Sequence, residues 1–428
     1  MRRTAGALIV LTLAVLGPAG LAAQEAGPGL VLTLDQAIDL ALGQNPFHLA
    51  TREQENQARA GVRQARAGFF PTLNAQGTDT VAEKLFTLEF PSMIPGEPPT
   101  EISVDFTKDY QVAFSLGVPL FTGGRLLAGY KQAKYGLEAS RESVRLSEQE
   151  TVYNVKRAFY GYLLAREFSS VAEEALTLAE KFRENVKNLY EVGMASKFDL
   201  LRSEVQVANL KPQAIKARNG VDVANLALKT VLGVDLDTPV EVRGSLEAPT
   251  LDAVAEGVIA EAEAQRPEIR QLDYRRRMAG EMLKIARGSL WPTVSIGGSF
   301  NYWADALSLN KGTWQNYYTV NLAVTLPIFN GFEAQARIGQ SKAAIRELDL
   351  TRRGLSEAVA LEVRQAVLNR SQARETLLSQ EKNVEQAREA VRIAELNYAE
   401  GLATNLDVMT AQVALSQART NYSQALYD

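Results

Sequence analysis

From Tyr110 to Val118 apolar and polar positions alternate without a break. Tyr110, Val112, Phe114, Leu116 and Val118 fall on one face, and Gln111, Ala113, Ser115 and Gly117 on the other. The alternation returns as Tyr318, Val320, Leu322, Val324 and Leu326 against Thr319, Asn321, Ala323 and Thr325. A period of two marks a strand with one apolar face and one polar or small face. About nine residues is also the length that crosses a bilayer at a tilt. Val294 to Tyr302, with Val294, Ile296 and Phe300 on one face, predicts a third strand, and Leu73 to Val81 a weaker fourth. Each strand pair encloses a loop. Lys84 to Thr107 carries Pro91, Pro95, Pro98 and Pro99; Ala304 to Gln315 carries Gly312, with Trp303 and Trp314 nearby.

Elsewhere the period changes to that of long helices. Arg125 to about Tyr190 and Glu333 to about Tyr398 contain no Pro, and apolar or alanine positions recur at heptad-like spacing, as in Val359, Val363, Ala366, Val367, Ala373, Leu377 and Leu378. That is the pattern of helices sharing a seam with neighbours. About 66 residues at 1.5 Å each give roughly 100 Å, which no compact core spans. Shorter helices, Asp199 to Leu232 and Asp407 onward, are predicted to fold back as antiparallel hairpins. Two more precede the strands, Pro46 to Ala67 and Pro267 to Gly288, with Pro well placed in a first helical turn. Asp235 to Pro249, with Thr238-Pro239 and Gly244, reads as a linker.

These elements occur twice. Tyr110, Val112, Pro119, Phe121, Gly123, Tyr190, Gly193 and Asp199 lie 208 residues before Tyr318, Val320, Pro327, Phe329, Gly331, Tyr398, Gly401 and Asp407. Upstream, Pro46 and Pro71 lie 221 residues before Pro267 and Pro292, so the first copy carries 13 more residues in its loop. Repetition fixes architecture before any local reading, and here it predicts a protomer with pseudo-twofold internal symmetry. The expected organisation is a first repeat over 24–234 (strand-loop-strand 73–118, hairpin 125–232), a linker over 235–250, and a second repeat over 251–428 (strand-loop-strand 293–326, hairpin 333–428). Asp428 matches Gly220, whose helix continues through Val221 to Gly233, so the last helix is expected to be cut short.

Composition narrows the address. Arg2 and Arg3, an apolar stretch from Ala5 to Leu16, Gly17-Pro18, and Ala22-Ala23 make residues 1–23 a secretory signal peptide, in preference to a short buried helix. Its removal takes the formal net charge from −4 to −6 by loss of two Arg. An acidic chain has no electrostatic case for nucleic acid. There are no cysteines, hence no disulfide framework and no lipid-acceptor thiol. Past the signal no run of some 18 apolar residues offers a spanning helix, which leaves spanning strands open. Four strands cannot close a barrel alone, and open edges are not tolerated in lipid. The strands therefore predict either a barrel shared between copies or, for the same alternation, a soluble sandwich.

Strand-loop-strand followed by Pro119-Leu120-Phe121-Thr122-Gly123-Gly124 and Pro327-Ile328-Phe329-Asn330-Gly331, long hairpins, and the turns Tyr190 to Asp199 and Tyr398 to Asp407 resemble the TolC-type outer-membrane channel proteins over nearly the whole mature chain. The resemblance implies an α+β membrane protein: a homotrimer with one twelve-stranded transmembrane β-barrel, a twelve-helix periplasmic α-barrel, and an equatorial belt near the linker. It implies a passive exit duct for an efflux pump or type I secretion system in the outer membrane, worked by a periplasmic adaptor and an inner-membrane pump. The contending class is a periplasmic coiled-coil adaptor or scaffold, which would show one hairpin between other modules.

Pro119 and Pro327 are expected where sheet turns into helix, since Pro lacks a ladder donor and suits a helix entry. Gly193 and Gly401 are expected at the reversals. Asp199 and Asp407 are expected at the start of the returning helices, where a carboxylate caps free N–H groups. In the family, the residues matching Asp199 and Tyr398 help tie a closed periplasmic entrance and the one matching Asp407 forms a pore-facing ring. Well-known members carry a tip arginine where this chain reads Ala403-Thr404, and a second aspartate where it has Thr410, which implies fewer ionic links and weaker cation block. Val192, Gly193, Met194, Ala195 and Ser196, with Gly401, Leu402, Ala403 and Thr404, resemble adaptor-contacting tips and serve equally as tight turns. The copies differ in charge there, Lys197 against Asn405 and Val192 against Glu400. No catalytic constellation, phosphate-cradling loop, cofactor motif or metal cluster is visible. The single histidine, His48, reads as a surface or capping residue.

Overall fold

A computed structural model of the chain describes residues 30–80, 85–92, 94–96, 98–105, 109–247, 257–304, 307 and 314–428. The expected signal peptide lies outside these residues, as do Val81, Lys84, Thr107 and parts of the second loop and the linker. The first repeat holds β1 (Leu30–Leu32), α1 (Leu34–Gln44), α2 (Pro46–Ala67), β2 (Thr72–Thr80), β3 (Leu85–Phe90), β4 (Thr100–Asp105), β5 (Asp109–Phe121), α3 (Arg125–Glu191) and α4 (Lys197–Leu232). Then come β6 (Val240–Val242), α5 (Val258–Gln265), α6 (Pro267–Gly288), β7 (Thr293–Ala304), β8 (Gln315–Thr325), α7 (Glu333–Ala399) and α8 (Asn405–Tyr427).

The four alternating runs form one antiparallel sheet in the order β2-β5-β7-β8. Directly opposed residues share a face, so the register sorts the two chemistries. Leu73, Leu116, Gly298 and Val320 form one row across the sheet, and Val118, Ile296 and Leu322 another. On the reverse face Asn74, Ser115, Ser299 and Thr319 align, and the hydroxyls of Ser299 and Thr319 hydrogen-bond at 2.8 Å. The apolar rows on β8 are open, with Val320 72% and Leu322 65% exposed. An apolar face of this extent is a surface for something other than water.

Helices continue the strand order. α3 packs against α2 and α6 near the sheet and against α4 and α8 farther away, and α6 in turn packs on α7. Each of α2, α3, α6 and α7 is thus joined by a short turn to the strand of matching position. α3 and α7 are 67 residues each, roughly 100 Å at 1.5 Å per residue. Ion pairs fasten α6 and the residue before it to α7: Arg276 to Asp349, Arg352 to Asp273 and, from the N-cap position, Arg266 to Glu362 at 2.6 Å. These hydrogen bonds hold the Asp349 and Glu362 carboxyls below the usual range.

The main core is a belt around the middle of α3. Val155, Phe159 and Leu163 meet Ala37 and Ala41 of α1, Leu228 and Leu232 of α4, Leu32 of β1, and Val240 and Val242 of β6. β1 and β6 pair in parallel, Leu30 with Val240 and Leu32 with Val242. The end of α4 abuts the start of α2. The Asn45 carbonyl oxygen Oδ1 accepts from the amides of Phe47 and His48 while its Nδ2 donates to the Val231 carbonyl at 2.8 Å. Gly233 has φ +75°, and a Cβ there would lie 2.6 Å from the Gln44 oxygen. Only glycine fits that junction.

Several expectations are corrected. Pro119 lies inside β5, opposite Ser295, with a register shift between it and Phe121, whereas Pro327 stands between the end of β8 and the start of α7, in the sheet-to-helix turn where it was expected. The pairing of β5 with β2 stops at Gly117, so beyond it a residue without an N–H is tolerated. The loop from Lys84 to Thr107 holds an antiparallel hairpin, β3 with β4, pairing Leu88 with Ile102. The linker carries β6. His48 is buried (3% exposed) rather than at the surface, its Nδ1 3.2 Å from the Ser147 hydroxyl. It takes the place that Ile269, also buried, holds in the second copy.

Candidate functional site

The two hairpin ends share one backbone design. Met194 N donates to the Leu189 oxygen at 2.7 Å and Gly193 N to the Tyr190 oxygen at 3.0 Å; Leu402 N and Gly401 N do the same to Asn397 and Tyr398 at 2.7 and 3.1 Å. Both glycines have φ +76°. This is the glycine-terminated helix end that satisfies the last free carbonyls. The returning helices begin with matched capping boxes. The Ser196 amide and hydroxyl donate to Asp199 Oδ2 at 3.3 and 2.6 Å, and the Asp199 amide donates back to the Ser196 hydroxyl at 3.1 Å. The Thr404 amide and hydroxyl donate to Asp407 Oδ2 at 2.8 and 2.6 Å, and the Asp407 amide returns a bond of 3.3 Å.

Ser196 and Thr404 are therefore the N-caps, and the aspartates, expected to start the helices, stand three residues on. The Thr404 bonds hold the Asp407 carboxyl below its ordinary range. Asp407 and Thr410 are both exposed along α8.

The tips are not independent. Phe182, Val186 and Val408 form a buried cluster, with Tyr398, Leu200 and Met409 against it. The rings of Phe182 and Tyr398 lie 5.2 Å apart. Burial, and then the charge of Asp199, push the Tyr398 hydroxyl pKa up. Asn405, buried, donates through Nδ2 to the Asp199 carbonyl at 3.2 Å. So Asp199 and Tyr398 are brought together, while Asp407 and Thr410 stand apart on the exposed side. From the sequence Asn405 stands out only as the neutral counterpart of Lys197, since a polar residue after a turn looks solvent-facing; its burial depends on a contact 206 positions away. Beside the cluster a groove of about 660 Å³ runs between α3 and α7, lined by Leu178, Phe182, Leu189, Val192 and Tyr398. At the very ends Val192, Met194 and Leu402 are largely exposed, as is Phe198, which the sequence reading passed over. Its apolar side chain in a first helical turn beside a glycine reversal was the available signal.

Among the described residues no group of His, Cys, Asp and Glu is arranged to hold a metal ion. No helix among them is long and apolar enough to cross a membrane, a statement that does not touch strands.

Comparison with known proteins agrees with this architecture. A probable efflux pump outer membrane protein, TtgC of Pseudomonas putida, is 26% identical over 373 residues, covering 84% of this chain and 73% of its own. The pyoverdine export outer membrane protein OpmQ, also of Pseudomonas putida, is 25% identical over 90% of this chain and 81% of its own. The solved CmeC outer membrane channel of Campylobacter jejuni superposes with a TM-score of 0.77 at 18% identity, covering 92% of this chain and 82% of its own. Such matches to outer-membrane proteins decide against the soluble sandwich and the periplasmic adaptor. The family model described as "Outer membrane efflux protein" matches residues 37–234 and 258–428, both repeats at once. The chain belongs to the outer membrane efflux protein family.

Proposed function

We propose that this chain is the exit duct of a tripartite efflux pump or type I secretion system, a passive homotrimeric channel for small molecules or polypeptides. One observation carries the reading: a four-stranded sheet, apolar on one face and polar on the other, has two unpaired edges and runs straight into helices of roughly 100 Å. Edges in lipid must be paired. Three copies supply twelve strands, with the apolar rows toward lipid and the Asn74 to Thr319 row toward the lumen.

The hairpin ends then form the periplasmic entrance. Val192, Met194, Phe198 and Leu402 offer an apolar contact for the tips of a periplasmic adaptor, with the small residues Gly193, Ala195, Ser196, Gly401, Ala403 and Thr404 permitting close approach. The Phe182, Tyr398 and Val408 cluster ties the tips shut from within. Asp407, copied three times about a narrow axis, concentrates negative charge that binds cations, and Thr410 adds none. Energy and choice of cargo lie with the inner-membrane pump.

The test is electrical. The mature protein is expected in outer-membrane fractions as a trimer, and in planar bilayers Asp407→Ala is expected to relieve divalent-cation block of its conductance. Unchanged block removes Asp407 from the pore; a soluble monomer sinks the channel reading.

A further inference from the structure

Basic residues gather where the helices meet the sheet. The twelve residues nearest the sheet in α2, α3, α6 and α7 are 56–67, 125–136, 277–288 and 333–344, a band roughly 18 Å deep at 1.5 Å per residue. Together they hold eleven Lys or Arg and two Glu, a balance of +9 in a chain whose net charge is −4. The duplication preserves the arrangement: Arg63 and Arg66 of α2 recur 221 residues on as Lys284 and Arg287 of α6.

The protein's own charges do not account for the band. Lys284 pairs with Glu281 and Arg337 with Glu333. Among the described residues Arg63, Arg66, Lys131, Lys134 and Arg287 form no ion pair. Helix dipoles explain only part of it. Arg66 and Arg287 stand in last turns, where cations are favoured. Arg125 instead opens α3, whose first turn has no acidic residue, and the positive end of a helix favours anions.

In a closed ring of helices the band faces outward. Leu126 and Tyr130 of α3 meet the end of α2 at Gly68 and Phe69, whereas Gly136 and Ser143 meet α6 at Met278 and Gln271. At about 100° per residue these two contact lines lie roughly 110° apart around α3, and the broader flank between neighbours is the convex one. Lys131 and Tyr135 occupy that flank. The Arg277 guanidinium lies 5.9 Å from the centre of the Tyr135 ring. Lys284 follows Arg277 by two turns and so shares its face, and Arg63 is the copy of Lys284. Between the band and the apolar rows of the sheet come Phe70 and its copy Trp291, 54% and 61% exposed. Apolar rows, then aromatic rings, then long cationic side chains match the order of hydrocarbon, interface and headgroups in a bilayer.

We propose that this band binds the phosphates of anionic phospholipids in the leaflet nearest the helices. The inference rests on the membrane-spanning sheet of the proposed function and adds which lipid is held at its foot.

Trp291 gives the readout. Trp303→Phe with Trp314→Phe leaves it as the single tryptophan, beside Arg287. In phosphatidylcholine vesicles containing brominated phosphatidylglycerol or brominated phosphatidylcholine, quenching of Trp291 measures which lipid occupies that site. Phosphatidylglycerol is expected to be favoured about fivefold at low salt, the factor one cation supplies beside an anionic surface. The preference is expected to fall toward one in about 0.5 M NaCl, where screening is short-ranged. Arg63→Gln, Arg66→Gln, Lys284→Gln and Arg287→Gln combined should abolish it. Lys156→Gln, Arg157→Gln, Lys211→Gln and Lys216→Gln, the same charge change at exposed positions lower on α3 and α4, should leave it intact. Equal quenching by the two lipids in an inserted, trimeric protein overturns the lipid site and leaves the channel standing; a protein that does not insert overturns both. Preference lost equally in the two quadruple variants overturns the band as its source. Preference that survives salt in the protein with unaltered charges overturns it as well, whether or not the variants fold. Replacing chloride by inorganic phosphate at equal ionic strength is expected to change nothing; loss of preference there would reassign the band to free phosphate.

Discussion

Val408→Ala tests whether the buried cluster between the tips holds the entrance together. Val408 is fully buried, against Phe182 and Val186. Truncation removes the equivalent of two methylenes, about 1.6 kcal/mol at 0.8 each. A cavity of some 40 Å³ at 24 cal/mol per Å³ adds about 1 kcal/mol. The total of about 2.5 kcal/mol corresponds to roughly a 60-fold rise in the population with the tips apart, provided that separation exposes the whole cluster. Hydrogen exchange followed by mass spectrometry reads this directly, as a comparable loss of protection near residues 182–189 and 405–411. Single-channel recordings should show more frequent openings without adaptor. Val155→Ala, equally buried in the equatorial belt, is the control: similar chemistry, a loss of protection at mid-height, and unchanged opening. If Val408→Ala frees the tip amides yet leaves conductance at wild-type level, the cluster is structural and the gate lies elsewhere.

Removing either N-cap, Ser196→Ala or Thr404→Ala, is expected to cost about 1 kcal/mol, seen as exchange confined to the first turn of α4 or α8. Because its folded pKa is depressed, Asp407 contributes stability that is present above the unfolded value near 3.9 and is lost as pH falls through the folded one. Protection factors at the start of α8 should therefore decline only in acid, and Asp407→Asn should abolish that decline. Gly193→Ala should cost about 1 to 2 kcal/mol for its left-handed backbone, since nothing lies within 4 Å of the added carbon. Gly233→Ala, facing the Gln44 oxygen, should lower the melting temperature considerably more; equal shifts would refute the tight junction of α4 with α2.

Much of the fold was legible because its signals are local. Alternation from Tyr110 to Val118 and from Tyr318 to Leu326 suits a strand between unlike media, and the first run lies wholly in β5 and the second in β8 as far as Thr325. The long helices needed no partner to be recognised, only the absence of Pro. Positions that depend on two distant segments were misread. His48 has nothing beside it in sequence that predicts burial; α3 covers it through Ser147. The hairpin of β3 and β4 hid in a proline-bearing stretch, since its short strands give too few alternations to stand out. At the tips the glycines and the cap-forming Ser196 and Thr404 carry their own geometry, so the reversals were readable while the joining of the two tips was not.

The sequence alone determined that the protein is built twice, that each half is two strands and a folded-back pair of helices, and where the reversals fall. Periodicity, proline exclusion and capping act over a few residues and so are written in consecutive letters. Only the tertiary structure decided that β5 meets β7, that β1 pairs with β6 across the equator, that Asn45 and Gly233 splice α4 onto α2, and that Asn405 closes on the backbone of Asp199. Those are contacts between residues more than a hundred positions apart. They are selected by which buried surfaces and hydrogen bonds fit together, and no short stretch of chain contains both sides of that fit.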